Sequence, residues 1–143
     1  MANYDFDFGI IGGGSAGLSA ASVSARLGAR TLLIEKEPEL GGDCLHFGCV
    51  PSKTLIRSSR VYQLMKSSEE YGLPGGTVPP VDFAAVRERI RSVISVIQEH
   101  DSVKRFCGLG AQVQFGGPEF NDEHTVDLEG RRYSARRWLV ATG

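Results

Sequence analysis

Two cysteines, Cys44 and Cys49, are separated by four residues within a glycine-containing stretch, residues 41–53. In a reducing compartment, a closely spaced pair of this kind is more often catalytic or metal-binding than structural. Three interpretations are open: a redox disulfide, a metal site completed by His46, or two unrelated buried thiols. A structural zinc site needs four ligands, and this stretch supplies Cys44, His46 and Cys49 with no second ligand pair. The spacing alone does not choose among the three.

The position of Cys49 favours the redox interpretation. Cys49 precedes Val50 and Pro51, and proline suits the first turn of a helix. The partial positive charge at a helix N-terminus favours a thiolate over a thiol. A thiolate at this position can donate electrons to a flavin.

A glycine-rich segment, Gly12-Gly13-Gly14-Ser15-Ala16-Gly17, lies between an apolar run and an alanine-rich stretch. It fits G-x-G-x-x-G, which joins a strand to a helix in dinucleotide-binding folds. In that setting Gly12 permits the tight turn, Gly14 lets the backbone approach a pyrophosphate, and Gly17 lets helix and strand pack closely. The N–H groups of the helix start, at Ser15 and Ala16, face the phosphates.

A second apolar run, residues 30–35, predicts a buried strand that ends at Glu35. Glu35 follows Gly17 by 18 residues (35 − 17), close to the separation at which an acid accepts hydrogen bonds from ribose hydroxyls. A carboxylate there would repel a 2′-phosphate, which favours FAD or NAD. The alternative is a glycine-rich turn in which Glu35 only caps a strand.

Other segments must position these residues. The β-α-β order at the start predicts parallel strands with a right-handed crossover. Helical spacing predicts one helix over 54–71, ended by Gly72, and another that begins at Asp82 as N-cap and runs towards Phe106. The remaining predicted segments are an exposed loop at 73–80, a small antiparallel meander of runs 112–115, 124–128 and 131–133, and a final buried strand at 138–141.

The totals exclude several classes of function. The 143 residues suit one domain, and 16 basic against 17 acidic residues give a net charge of −1, so nothing favours nucleic acid or an anionic membrane as partner. No apolar run approaches the roughly 20 residues of a membrane span, and the acidic start, residues 1–5, is unlike a secretory signal. Three cysteines are too few for a secreted disulfide framework. We therefore predict a cytoplasmic protein.

The sequence closely resembles the N-terminal FAD-binding part of the flavoprotein pyridine nucleotide–disulfide oxidoreductases, which include dihydrolipoamide dehydrogenase, mercuric reductase and glutathione reductase. The motifs are Gly12 to Gly17, Glu35, the Gly-Gly-x-Cys-x4-Cys-x-Pro block and the closing Ala141-Thr142-Gly143. The resemblance implies an α/β, Rossmann-like FAD-binding domain with a parallel sheet and a small antiparallel meander. It also implies that residues 1–143 are a domain fragment of a homodimeric enzyme, with the NAD(P) and dimerisation domains absent.

The resemblance also implies a role for each motif residue. Cys44 resembles the interchange thiol that attacks the substrate, Cys49 the thiol that lies against the flavin, and Lys53 the lysine beside flavin N5. Electrons would pass from NAD(P)H through FAD to a Cys44–Cys49 disulfide, then to a small dithiol or disulfide substrate or to Hg(II), or in reverse. The implied cofactor-binding residues are Gly12, Gly14, Ser15, Ala16, Gly17, Glu35, Lys36, Gly41, Gly42, Asp43, Ala141, Thr142 and Gly143.

The chain departs from the family pattern in ways that bear on substrate. Asp43 replaces the usual threonine near the expected flavin phosphates, and His46 lies in a segment that differs from the commoner sequence. Ser22 and Val23 stand where glutathione reductases carry arginines, so glutathione is disfavoured relative to dihydrolipoamide or Hg(II). The rival hypothesis is a non-catalytic, flavin-binding module in which Cys44 and Cys49 act as a redox sensor.

Overall fold

Two apolar runs form the centre of a parallel sheet, as their branched residues predict. Strand β1 spans Phe8–Ile11, helix α1 spans Ser15–Arg26, and strand β2 spans Thr31–Glu35. Every residue of β2 is buried, because a central parallel strand is covered on both faces. The structure is a computed structural model that describes residues 3–143; Met1 and Ala2, the first residues of the acidic start, lie outside the described residues.

Two further parallel strands complete this sheet in the order β3-β2-β1-β7. Strand β7, Trp138–Val140, pairs with β1, and β3, Ala111–Phe115, pairs with β2. The assignment of run 112–115 to the meander was therefore wrong. Polar and apolar residues alternate along this run, as in an antiparallel strand with one face exposed to solvent. An edge strand of a parallel sheet has the same pattern.

The meander consists of three short antiparallel strands, and the predicted runs 124–128 and 131–133 supply two of them. The strands are β4, Glu119–Phe120; β5, Thr125–Leu128; and β6, Arg131–Ser134. Val126, Leu128 and Tyr133 pack with residues of β1 and β2 in one apolar cluster. On the other face of the parallel sheet, α1 and Phe106 form a second cluster. The expected α/β fold with a parallel sheet and a small antiparallel sheet is confirmed.

The helical segments differ from the prediction at their ends. They are α2, Gly42–His46; α3, Cys49–Lys66; a 3₁₀ turn, Ser68–Tyr71; α4, Phe83–His100; and α5, Val103–Gly108. Asp82 caps α4 as predicted, since its carboxylate accepts hydrogen bonds from the N–H groups of Ala84 and Ala85 at 2.8 and 3.3 Å. The single helix towards Phe106 was wrong, because the Ser102 side chain accepts from the Arg105 N–H and starts α5 separately.

Helices α3 and α4 pack against each other, yet neither contains a buried residue. Their exposed apolar side chains include Leu55, Ile56, Leu64, Met65, Phe83 and Val96. The apolar faces of α3 and α4 that the sequence predicts are therefore present, but the described residues, 3–143, cover these faces only in part. No helix within residues 3–143 combines the length and apolar composition needed to span a membrane.

Candidate functional site

The predicted motifs meet at the carboxyl edge of the parallel sheet, where β1, β2 and β7 end side by side. The Gly12 N–H donates to the Ile34 carbonyl at 2.8 Å, and the Ala141 N–H donates to the Ile11 carbonyl at 2.7 Å. A Cβ at Gly12 would overlap the Ala141 carbonyl and approach the Thr142 Cα to 3.1 Å. The closing segment 141–143 therefore lies directly against the glycine-rich turn.

Three glycines of the turn differ in what surrounds them. Gly12 has φ 109°, a conformation that glycine adopts readily. A Cβ at Gly17 would overlap the Gly12 carbonyl oxygen, so α1 approaches β1 as closely as glycine allows. At Gly14 the nearest atom to a Cβ is Gly42 Cα, at 3.9 Å. The turn is therefore tight at Gly12 and Gly17 and open at Gly14.

The N-terminus of α1 borders this open side. Gly14 is its N-cap, no side chain caps it, and its first turn contains no acidic residue. The first N–H groups of a helix have no partner within the helix, and here Ser15 and Ala16 are exposed. Free N–H groups with the positive end of the helix dipole suit a phosphate. This end of α1 fits the pyrophosphate of a dinucleotide.

Glu35 connects the turn to the end of β2. Its carboxylate is buried and accepts hydrogen bonds from the N–H groups of Gly13 and, at 2.8 Å, Glu37. The capping role considered from sequence is thus present. Each carboxylate oxygen can accept more than one bond, so the same group can also bind ribose hydroxyls. Lys36 is exposed beyond the strand, with its Nζ 3.8 Å from a Glu37 carboxylate oxygen.

We expect Glu35→Gln to lower the free energy of unfolding by about 1–3 kcal/mol, because one of the two N–H donors loses its acceptor. Glu37→Gln is the matched control, since Glu37 is exposed and its pairing with Lys36 contributes little. Urea denaturation of the two variants measures the difference. Equal stability of Glu35→Gln and the unmutated chain would contradict this role of the carboxylate.

The cysteine-containing segment packs directly on the glycine-rich turn. The Gly41 N–H donates to the Gly13 carbonyl at 2.8 Å, and a Cβ at Gly42 would lie 2.7 Å from the Gly14 Cα. Gly41 and Gly42 have φ 120° and 60°, which favours glycine at both positions. A molecule bound along the turn therefore lies next to the cysteine-containing segment.

A short turn brings Cys44 and Cys49 together. The Asp43 carbonyl accepts the N–H groups of Phe47 and Gly48 at 2.9 and 2.6 Å, which closes the segment between α2 and α3. Both cysteines are free thiols, with Cys44 half-buried and Cys49 exposed. The neighbouring Cys49 thiol, burial and the charge of Cys49 raise the pKa of Cys44, while the Cys49 backbone N–H acts in the opposite direction. Within the pair, Cys44 holds its proton more firmly than an ordinary cysteine does.

The remaining predicted residues lie around this pair. Lys53 is exposed on α3, one helical turn after Cys49. Asp43 is exposed, and its carboxylate has no ion-pair partner within residues 3–143. His46 Nε2 lies 3.1 Å from the Leu40 carbonyl oxygen, so its ring has a protein partner. In the part of the chain that the structure describes, no three His, Cys, Asp or Glu side chains converge as a metal site.

Sequence reasoning missed the residues that α4 and α5 contribute. Gln98 Nε2 donates to the same Leu40 carbonyl as His46, at 2.9 Å, and ties α4 to the cysteine-containing segment. A cavity of about 490 Å³ opens beside Cys44, and its lining includes Ser22, Val23, Ile97, Asp101 and Arg105. The signal was the poor helix-forming triplet His100-Asp101-Ser102, which marks where α4 ends and turns towards Cys44.

Several known proteins are similar to this chain in sequence. The chain is 34% identical to a mercuric reductase of Bacillus cereus over 99% of the chain and 22% of that protein. It is 41% identical to a dihydrolipoyl dehydrogenase of Bacillus subtilis over 63% of the chain and 19% of that protein. A glutathione reductase of Yarrowia lipolytica is 32% identical over 96% of the chain and 32% of that protein. The chain thus spans about a fifth to a third of the length of these relatives.

The family assignment rests on a match that includes both halves of the site. A profile described as pyridine nucleotide-disulphide oxidoreductase matches residues 6–143, which contain the glycine-rich turn, Glu35 and the cysteine pair. The fold, a parallel four-stranded sheet with a small antiparallel sheet, agrees with the FAD-binding domain of such proteins. The chain belongs to the pyridine nucleotide-disulphide oxidoreductase family.

Proposed function

We propose that this chain is the FAD-binding domain of a longer disulfide oxidoreductase and that Cys44 and Cys49 are its redox pair. The contact between the cysteine-containing segment and the glycine-rich turn carries the proposal: Gly41 bonds to Gly13, and Gly42 abuts Gly14. A dinucleotide held by the turn would have the cysteine pair as its neighbour. That adjacency is what electron transfer between a cofactor and a disulfide requires.

We propose a contact for each part of FAD. Glu35 suits the adenosine ribose, with Lys36 beside it, and the N-terminus of α1 suits the pyrophosphate. We assign the remaining contacts to Gly41, Gly42, Asp43 and the closing segment 141–143, and the flavin N5 contact to Lys53. When bound, FAD would accept a hydride from NAD(P)H and reduce a disulfide by two electrons.

The two cysteines divide the thiol chemistry between them. Two electrons and one proton convert the Cys44–Cys49 disulfide to a Cys44 thiol and a Cys49 thiolate, which is the distribution favoured by the raised pKa of Cys44 and the position of Cys49 at the start of α3. After losing its proton, Cys44 attacks a substrate disulfide and releases one thiolate. Cys49 then attacks the Cys44 sulfur, releases the second thiolate and restores the disulfide.

The substrate we propose is a small dithiol or disulfide of the dihydrolipoamide type, or Hg(II). Ser22 and Val23 line the cavity beside Cys44, and neither offers the positive charge that a glutathione carboxylate would bind. Sequence identity alone does not select the substrate, because mercuric, dihydrolipoyl and glutathione enzymes match at 34%, 41% and 32%.

The rest of the proposed enzyme would complete the site. We assign NAD(P)H binding and dimerisation to further domains, in a homodimer of the reducing cytoplasm. The exposed apolar side chains of α3 and α4 support such an assembly, because another domain or subunit could cover them. No nucleic acid or membrane partner is proposed.

Assay of the longer protein with NADH and NADPH tests the function. We expect reduction of lipoamide or Hg(II) and little reduction of glutathione disulfide, whereas the 143-residue chain alone should not turn over. If the longer protein binds FAD but reduces none of these substrates, the non-catalytic redox-sensing module is favoured instead. Reduction of a disulfide at the expense of NADH by the isolated chain would contradict the need for further domains.

A further inference from the structure

The cavity beside Cys44 contains an acidic group that the reaction outlined above does not use. Asp101 follows the last residue of α4 and lines the cavity together with Cys44 and Arg105. Its carboxylate is half-buried and has neither a hydrogen-bond partner nor an ion-pair partner within residues 3–143. The carboxylate is therefore available to a bound cation or hydrogen-bond donor in the cavity.

The negative charge of Asp101 acts on the Cys44 thiol. Burial raises the pKa of the Asp101 carboxyl, with Arg105, His100 and His46 acting in the opposite direction. Asp101 is also among the groups that raise the pKa of Cys44, after Cys49 and burial. The carboxylate and the thiol therefore share one electrostatic environment.

Arg105 is the strongest of the cations that act on Asp101, but its guanidinium has other partners and is exposed to solvent. Its Nη1 donates to the His100 carbonyl, and its guanidinium lies over the Phe106 ring at 5.8 Å from the centroid. Arg105 is exposed, whereas Asp101 is half-buried, so solvent screens the guanidinium more than the carboxylate. No arginine contributes to the causes that shift the pKa of Cys44.

We propose that Asp101 is a specificity-determining residue that makes Cys44 prefer disulfides carrying an amine or amide near the sulfur atoms over disulfides carrying carboxylates. The proposal rests on the assignment of Cys44 as the attacking thiol. The Cys44 thiolate attacks one sulfur of the substrate, a Cys44–substrate disulfide forms, the substrate S–S bond breaks and one thiolate leaves. A substrate ammonium or amide N–H faces Asp101 during this attack, whereas a carboxylate is repelled.

Thiol exchange without flavin tests this preference. In the full chain with Cys49→Ser and Cys107→Ser, Cys44 is the one remaining thiol, and exchange stops at the mixed disulfide. Second-order rates are measured with a positively charged disulfide, cystamine, a neutral one, 2-hydroxyethyl disulfide, and a negatively charged one, dithiodiglycolate. Each rate is divided by the rate at which the free thiol N-acetylcysteine amide reacts with the same disulfide. We expect the ratio of the normalised cystamine rate to the normalised dithiodiglycolate rate to be about 3 to 10 at low salt. This ratio should fall as salt is added.

Asp101→Asn, added to this background, should bring the ratio close to unity. The rate with the neutral disulfide should rise by less than about twofold, because loss of the Asp101 charge lowers the pKa of Cys44. Glu99→Gln is the matched control, because it removes an exposed charge from the same helix end without lining the Cys44 cavity. Arg105→Gln should raise the ratio. A ratio of unity without salt dependence, or one that Asp101→Asn leaves unchanged, overturns the proposal even if the longer protein is an active flavoenzyme. A confirmed preference stands even if no flavin binds.

Discussion

Replacing Gly17 with alanine is expected to lower the free energy of unfolding by about 3 kcal/mol and to abolish FAD binding. The new Cβ would overlap the Gly12 carbonyl oxygen and lie 3.3 Å from Ile10 Cγ2. Neither group can yield easily, because Gly12 lies between Ile34 of β2 and Ala141, and Ile10 is completely buried. Helix α1 would have to move away from β1, which displaces the N–H groups proposed to bind the pyrophosphate. Urea denaturation and flavin titration measure the two effects.

Gly14→Ala is the matched control for this substitution. Gly14 has φ −80° and ψ −172°, which alanine adopts without strain, and its nearest neighbour would be 3.9 Å away. The free energy of unfolding should therefore fall by no more than about 1 kcal/mol, the cost of alanine at an N-cap, whereas FAD binding weakens because the methyl group enters the open side of the turn. Equal destabilisation by the two substitutions would contradict the distinction between the tightly packed Gly17 and the open Gly14.

The parts of the fold that were predicted correctly depend on local signals. The glycine spacing, followed by Glu35 at the end of a branched run, specifies strand, turn, helix and strand within 30 residues or so. Asp82 was recognised as an N-cap because its carboxylate serves N–H groups two and three residues ahead. Runs 124–128 and 131–133 pair with each other across a short turn. In each case the partner lies nearby in sequence.

The errors arose where the deciding contact is distant. The alternation of β3 fits either sheet, and only its pairing with β2, about 80 residues earlier, places it in the parallel sheet. The division between α4 and α5 depends on a weak local competition by the Ser102 hydroxyl and on burial of Phe106 against the sheet. Helical spacing continues across this break, so periodicity could not locate it.

The same division holds for the candidate site. The cysteine pair, Lys53 and the glycine-rich turn were identified because the chemistry of each motif lies within a few residues. Asp101 was missed because it reaches the Cys44 cavity from 57 residues along the chain (101 − 44). Gln98 was missed for the same reason: its amide reaches the Leu40 carbonyl only because α4 folds back over the cysteine-containing segment. Residues that surround the thiols are thus specified by tertiary packing, whereas the thiols themselves are specified by motif.

Cys44→Ser and Cys49→Ser are expected to abolish disulfide turnover by the longer protein, each on the order of a thousandfold or more, and to differ in their spectra. In Cys44→Ser the remaining Cys49 lies at the start of α3, in the segment that packs on the proposed flavin-binding turn. A Cys49 thiolate beside oxidised flavin should give a long-wavelength absorbance band. In Cys49→Ser the half-buried Cys44 should give none.

Cys107→Ser is the control for this comparison, since Cys107 is exposed on α5 and should affect neither turnover nor spectrum. A band that persists in Cys49→Ser and vanishes in Cys44→Ser would reverse the two roles and remove the basis for the Asp101 preference. Bound FAD with no band in any variant, together with no turnover, would instead favour the redox-sensing module. The spectra therefore test a division of labour that follows from two features of the chain: Cys49 begins a helix of 18 residues, and Cys44 lies beside a second thiol and a half-buried carboxylate that raise its pKa.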